Sequence, residues 1–161
     1  MAFDDPVVAH FAAFIERIGI KVDVAELGDG MVVPGIAIRD GALLVDPARL
    51  EWPGDLLHEA GHIAVTDPAL RPTLREVPHD PGEEMAAIAW SCAAALAAGV
   101  DPALVFHEGG YRGGSGAVLR AFNEGEYFGV PPLQWFGMTG EPRHAAALGR
   151  PAFPEMLRWL R

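Results

Sequence analysis

Apolar residues in the first fifty positions change period once. Val7, Val8, Phe11, Phe14, Ile15 and Ile18 recur at three-to-four spacing, which marks one face of a helix. Asp5 is placed to cap that helix, Pro6 suits its first turn and Gly19 ends it. The period then falls to two, with Ile20, Val22 and Val24 alternating with Lys21 and Asp23. Met31-Val32-Val33 and Ile36-Ala37-Ile38-Arg39 follow as further strand signals, and Asp40-Gly41 parts the second from Ala42-Leu43-Leu44-Val45. An Asp-Gly pair between two apolar runs predicts a hairpin, because it tolerates the positive φ angles of a type I′ turn. Residues 1–46 are expected to form one helix and a small antiparallel sheet.

A second helix is expected from near Pro53 to about Val65, and Pro68 and Pro72 then impose a loop to about His79. Asp80-Pro81-Gly82-Glu83 opens a third. It carries an Asp N-cap, Pro at the first helical position and Glu three residues after the cap, a capping box in which Glu83 reaches back to the Asp80 amide. That helix runs through an alanine-rich stretch to Gly99. Beyond it the pattern predicts a short helix at Asp101-Pro102, a glycine-rich connector over 109–116 and a helix from Ala117 to Glu124. An irregular aromatic segment from Pro131-Pro132 and a short final helix over 155–160 complete the chain. The expected fold class is α+β, a small antiparallel sheet packed on helices. One domain spans 1–161: helix plus hairpin sheet over 1–46, a helix pair over 53–99 and an irregular helical part over 100–161.

Composition narrows the function. A chain of 161 residues suits a single domain. Half of its residues are hydrophobic and 21% charged, which excludes a disordered chain. Twelve basic against twenty-two acidic residues give a net charge of −10. This argues against sequence-independent nucleic-acid binding and against docking on an anionic membrane. The lone Cys92 excludes a disulfide framework and any CxxC site. The acidic start lacks the positive region of a secretory signal, and the uncharged run 85–100 is shorter than the ~20 residues a membrane span needs. The expectation is a cytoplasmic protein with neither nucleic acid nor membrane as partner; no feature demands a self-interface.

The sharpest motif is His58-Glu59-Ala60-Gly61-His62, an HExxH pattern on a predicted helix. Residues four apart on a helix differ by about 40° in direction. Both imidazoles therefore project from one face and can reach one ion. Zinc takes His nitrogens and carboxylate oxygens in four-coordination, and Glu59, beside the first ligand, is the candidate general base for a water on that ion. A third His six residues after His62 would complete one known arrangement, but that position is Pro68. The remaining common ligand is a Glu on the following helix. The capping box gives Glu83 a structural task, whereas Glu84 points about 100° away and is the preferred third ligand; Glu83 is the alternative.

His58-Glu59-Ala60-Gly61-His62 followed by a Glu on the next helix resembles the gluzincin metallopeptidases, most of all the ImmA/IrrE type. That type is similar in its HExGH form and in a Glu-Ala-Asn-x-Phe-Ala pattern around the third ligand. Glu84-Met85-Ala86-Ala87-Ile88-Ala89 occupies the pattern here, with Glu84 on the ligand, Ile88 on the apolar position and Ala89 on the last Ala; Met85 and Ala86 depart from it. Thr66 stands where the family often has a further His. The resemblance covers roughly residues 36–98. It implies a minimal zincin-like architecture, one zinc ion on His58, His62 and Glu84, and a peptide or protein substrate. It also implies a strand above the active helix that pairs with an extended peptide; Ile36–Arg39 and Ala42–Val45 are the candidates.

A peptidase needs a donor for the oxyanion. Tyr111, in the glycine-rich stretch, is the candidate catalytic residue for this role, with Tyr127 and the histidines at 79, 107 and 144 as alternatives. His79 and His107 otherwise read as loop or surface residues. Residues 109–116 lack the GK[ST] ending of a phosphate loop; Arg112 with Ser115 at a helix start suits an anion. Two serines without a GxSxG elbow, and a mid-helix Cys92, disfavour other hydrolase chemistries. The four tryptophans read as packing residues. The leading expectation is a zinc-dependent metallopeptidase. Its alternative is a non-catalytic, metal-stabilised regulatory or peptide-binding module.

Overall fold

The computed structural model describes residues 3–161. Helix α1 (Pro6–Arg17) starts where expected: the Asp5 carboxylate accepts from the Val7 and Val8 amides, and Val8, Phe11, Phe14 and Ile15 are buried. Strands β1 (Val22–Val24), β2 (Ile36–Arg39) and β3 (Ala42–Val45) follow. Asp40 and Gly41 adopt φ of 52° and 74°, the left-handed pair of a type I′ turn. They register Ile36 against Val45 and Arg39 against Ala42 in an antiparallel hairpin.

The architecture is α+β, a small sheet packed on helices, but the sheet is mixed rather than antiparallel. Its order is β1-β3-β2, and β1 runs parallel to β3, Val22 opposite Leu43 and Val24 opposite Val45. Parallel neighbours need a long crossover, and residues 25–35 with β2 supply it. Met31-Val32-Val33, expected as strand, lies inside this crossover; Val32 is fully exposed, and Pro34 follows without an amide hydrogen to pair.

Helices α2 (Asp55–Val65) and α3 (Pro81–Ala97) form the centre. Helix α3 is buried on every side over its middle stretch, from Ala86 to Ala95. A helix apolar on every side belongs inside a fold. Small side chains let its neighbours approach. A Cβ on Gly61 of α2 would lie 2.9 Å from the Ala87 carbonyl oxygen and 3.2 Å from the Trp90 ring. Trp90 is a packing residue, fully buried, and its Nε1–H donates to the Trp159 carbonyl at 2.9 Å.

The C-terminal third departs most from expectation. Helix α4 (Ser115–Asn123) and the 3-10 turn Pro102–Leu104 occur as expected. The segment from Pro131 is helix α5 (Val130–Trp135) rather than irregular, because proline is harmless in a first turn, where amides have no partner anyway. Gly129, at φ 80°, brings it against α3; a Cβ there would lie 2.0 Å from the Met85 carbonyl. Helix α6 (Ala145–Leu148) was not expected. The helix expected over 155–160 is absent, since those amides bond elsewhere: Leu157 to Met138 and Arg161 to Ala64 of α2. Arg71 reinforces this seam, donating to Ile63 at 3.1 Å, Thr66 at 3.0 Å and Arg161 at 2.6 Å, and so satisfies carbonyls left open at the end of α2. Among the described residues no helix is long and apolar enough to cross a membrane.

The close α2–α3 approach gives a stability prediction. Gly61→Ala gains about 1 kcal/mol in helix propensity against about 1–3 kcal/mol of overpacking, so urea unfolding should show a net loss. Gly54→Ala should lose more, because its Cβ would sit 1.7 Å from the Leu104 carbonyl oxygen. A stabilised Gly61→Ala would contradict this packing.

Candidate metal centre

The HExxH segment lies on α2, a helix whose motif residues face inward. His62 is 4% exposed and Glu59 8%. One helical turn separates the two imidazoles, whose Nε2 atoms lie 3.0 Å apart, with the rings edge to face at 4.6 Å. Helix α3 brings the third group. Asp80 caps it, accepting from the Gly82 and Glu83 amides with Pro81 at the first position, and this fixes the first turn. Glu84 then places Oε1 3.3 Å from Nε2 of His58 and Oε2 3.1 Å from Nε2 of His62.

These spacings fit a tetrahedral ion. Donors about 2.0–2.1 Å from zinc lie about 3.3 Å from one another, and all three groups offer atoms within 4.8 Å of each other. The Glu84 side chain is 44% exposed against 5% for His62, so the centre has a buried floor and a solvent side.

The electrostatics favour a cation. Burial opposes protonation of His58, but Glu84, Glu59 and Asp55 outweigh it and raise its pKa. Hydrogen bonds from His58 and then His62 hold the Glu84 carboxyl far below the usual carboxylate range. Burial pushes Glu59 up, against the pull of His62 and His58. Three carboxylates around two imidazoles leave a negative excess that suits a divalent ion.

Of the remaining candidates, Tyr111 reaches the centre. Its hydroxyl lies 3.0 Å from Nδ1 of His58, the ring nitrogen other than the one facing Glu84, and burial raises its pKa so that it stays protonated. Tyr127 packs on Phe153 at 4.9 Å and Phe122 at 6.0 Å. His79 and His144 are exposed. Glu83 does not close the capping box as expected; its Oε1 faces Arg161 at 3.4 Å. The Ser115 hydroxyl is used on the Gly110 carbonyl at 3.2 Å. Strand β3 is paired on both sides, which leaves β2, not Ala42–Val45, as the sheet edge nearer the motif in sequence.

Sequence reasoning missed Asp55 and its pairing with His107, which it offered only as an alternative oxyanion donor or a loop or surface residue. His107 is 9% exposed rather than a surface residue. Its Nε2 lies 2.6 Å from Asp55 Oδ1, and it stacks on Trp52 at 4.3 Å and 4°. The only local signal is that it follows the apolar pair Val105-Phe106. Comparison with protein-family models, curated proteins and solved structures finds no match.

A cluster of this geometry should bind one equivalent of zinc and gain stability from it. An ion at 100 times its dissociation constant adds about 2.7 kcal/mol, read as a rise in melting temperature that a chelator reverses. His62→Ala and Glu84→Ala should abolish the rise, and Glu83→Ala should keep it. Equal responses of the Glu83 and Glu84 variants would contradict the assignment.

Proposed function

We propose that the protein is a zinc-dependent hydrolase, a metallopeptidase of the gluzincin kind. The observation that carries this reading is the convergence of His58, His62 and Glu84 from two packed helices, with the buried carboxylate of Glu59 on the same turn of α2 as the ligands. An alternating strand at a sheet edge supports a peptide substrate, since β2 has one side paired to β3 and the other open among the described strands.

A zinc ion held by these residues would supply Lewis acidity to a carbonyl oxygen and lower the pKa of a water. The chain's residues do the rest. His58 and His62 present Nε2 donors, and the charge on Glu84 completes the set. Glu59 takes the proton of the attacking water on a carboxylate oxygen, holds it in a poorly solvated position, and delivers it to the amine nitrogen as the peptide bond breaks. Burial suits Glu59 to both halves of that transfer, because a carboxylate with a raised pKa is a stronger base and is protonated at less cost. Strand β2 would align the peptide by main-chain hydrogen bonds.

Glu59→Gln tests this assignment. With a library of quenched peptides as substrate, the variant should lose hydrolysis by at least about 100-fold, while zinc content and melting temperature stay within error of the parent. Hydrolysis that survives unchanged would remove Glu59 as the base. A parent that binds zinc yet cleaves no peptide would favour a metal-stabilised binding module instead.

A further inference from the structure

The contacts of His107 point beyond the ligand set. Its ring is held on three sides. Nδ1 accepts from the Gly109 amide at 3.2 Å. That leaves the ring hydrogen on Nε2, which donates to Asp55 Oδ1 at 2.6 Å. The face stacks on the Trp52 indole. Asp55 opens α2, one turn before His58 and Glu59. His107 therefore fastens the start of the glycine-rich segment to the start of the motif helix.

Four residues on, the same segment carries Tyr111. Tyr111 and Arg112 both adopt φ of 53°, followed by Gly113 at 83°. Non-glycine residues keep left-handed backbone only where surroundings impose it. Here the backbone turns the phenol inward, between Phe106 at 5.8 Å and His58 at 5.4 Å, and sets its hydroxyl on Nδ1 of His58. An imidazole that ligates through Nε2 must carry its hydrogen on Nδ1, and a fixed acceptor there sets the tautomer and ring angle.

We propose that His107, locked between Asp55 and Trp52, is a positioning residue that holds the Tyr111 hydroxyl as the acceptor for Nδ1–H of His58, and so orients Nε2 of His58 toward the metal. This rests on the metal-centre reading but not on hydrolysis. It gives Tyr111 a role behind a ligand rather than over the substrate. It also gives a purpose to the part-buried Asp55–His107 pair, which the proposed reaction does not use.

The test is a double-mutant cycle read by zinc affinity. Tyr111→Phe keeps the ring and removes the hydroxyl; His107→Phe keeps the stack on Trp52 and removes both hydrogen bonds. Zinc affinity of parent, single and double variants is measured by chelator competition, beside the metal-free melting temperature. Each single variant should bind zinc 10- to 100-fold more weakly, and the double variant no more weakly than the worse single. With cobalt(II) in place of zinc, the visible ligand-field bands should shift in both singles, which a loop held only for packing would not cause. Zinc affinities within twofold of the parent overturn the proposal, as do losses that add in the double variant. If His107→Phe fails to fold, Trp52→Leu, which removes the stack that locks His107, takes its place in the cycle, with the same outcomes. A parent that takes up no zinc overturns the metal centre and this inference together; a parent that binds zinc tightly without cleaving peptides overturns only the hydrolase.

Discussion

The close contact of α2 with α3 is the constraint on which the rest depends. Gly61 offers no side chain to the Ala87 carbonyl. One turn earlier on α2 lies His58; about one turn earlier on α3 lies Glu84. The spacing that lets the backbones touch is thus the spacing that brings Glu84 Oε1 within 3.3 Å of His58 and Oε2 within 3.1 Å of His62. A larger residue at 61 or 87 would draw Glu84 away from the two imidazoles as it separated the helices. The alanines of α3 have the same logic, since a helix surrounded on all sides can take only small groups where its neighbours press closest.

Burying His62, Glu59 and most of His58 in one helix is costly unless something compensates. Part of the compensation is mutual, because Glu84 lies against both imidazoles and the hydroxyl of Tyr111 against one. The set still carries more carboxylate than imidazole charge once Asp55 and Glu59 are included. A divalent ion held there would neutralise that excess, and binding that did so would be coupled to folding. On the proposed reading, the site's stability and its chemistry would share one origin.

Features set by neighbours in sequence were legible; features set by distant ones were not. Asp5 and Asp80 announce their helices because a cap acts over two or three residues. Asp40-Gly41 announces its hairpin for the same reason, and HExxH is a pattern within one turn and a half. Local direction also separates the two carboxylates: Glu84 lies against both imidazoles, whereas Glu83 meets not the Asp80 amide but Arg161, far along the chain. The partner of β1 depended on the course of residues 25–35, which no period of two reveals. Pro131-Pro132 read as a breaker because the sequence does not say which turn of a helix it will occupy. The partners of His107 were invisible for the plainest cause, since Asp55 and Trp52 lie more than fifty residues upstream.

Two imidazoles and one carboxylate from α2 and α3 make the proposed metal centre. X-ray absorption at the zinc edge of the loaded protein reads its donors. The spectrum should show a four-coordinate ion with two imidazole nitrogens and oxygen donors at about 2.0–2.2 Å, and no sulfur. A spectrum with a sulfur neighbour near 2.3 Å, or six oxygen neighbours without imidazole scattering, would contradict it.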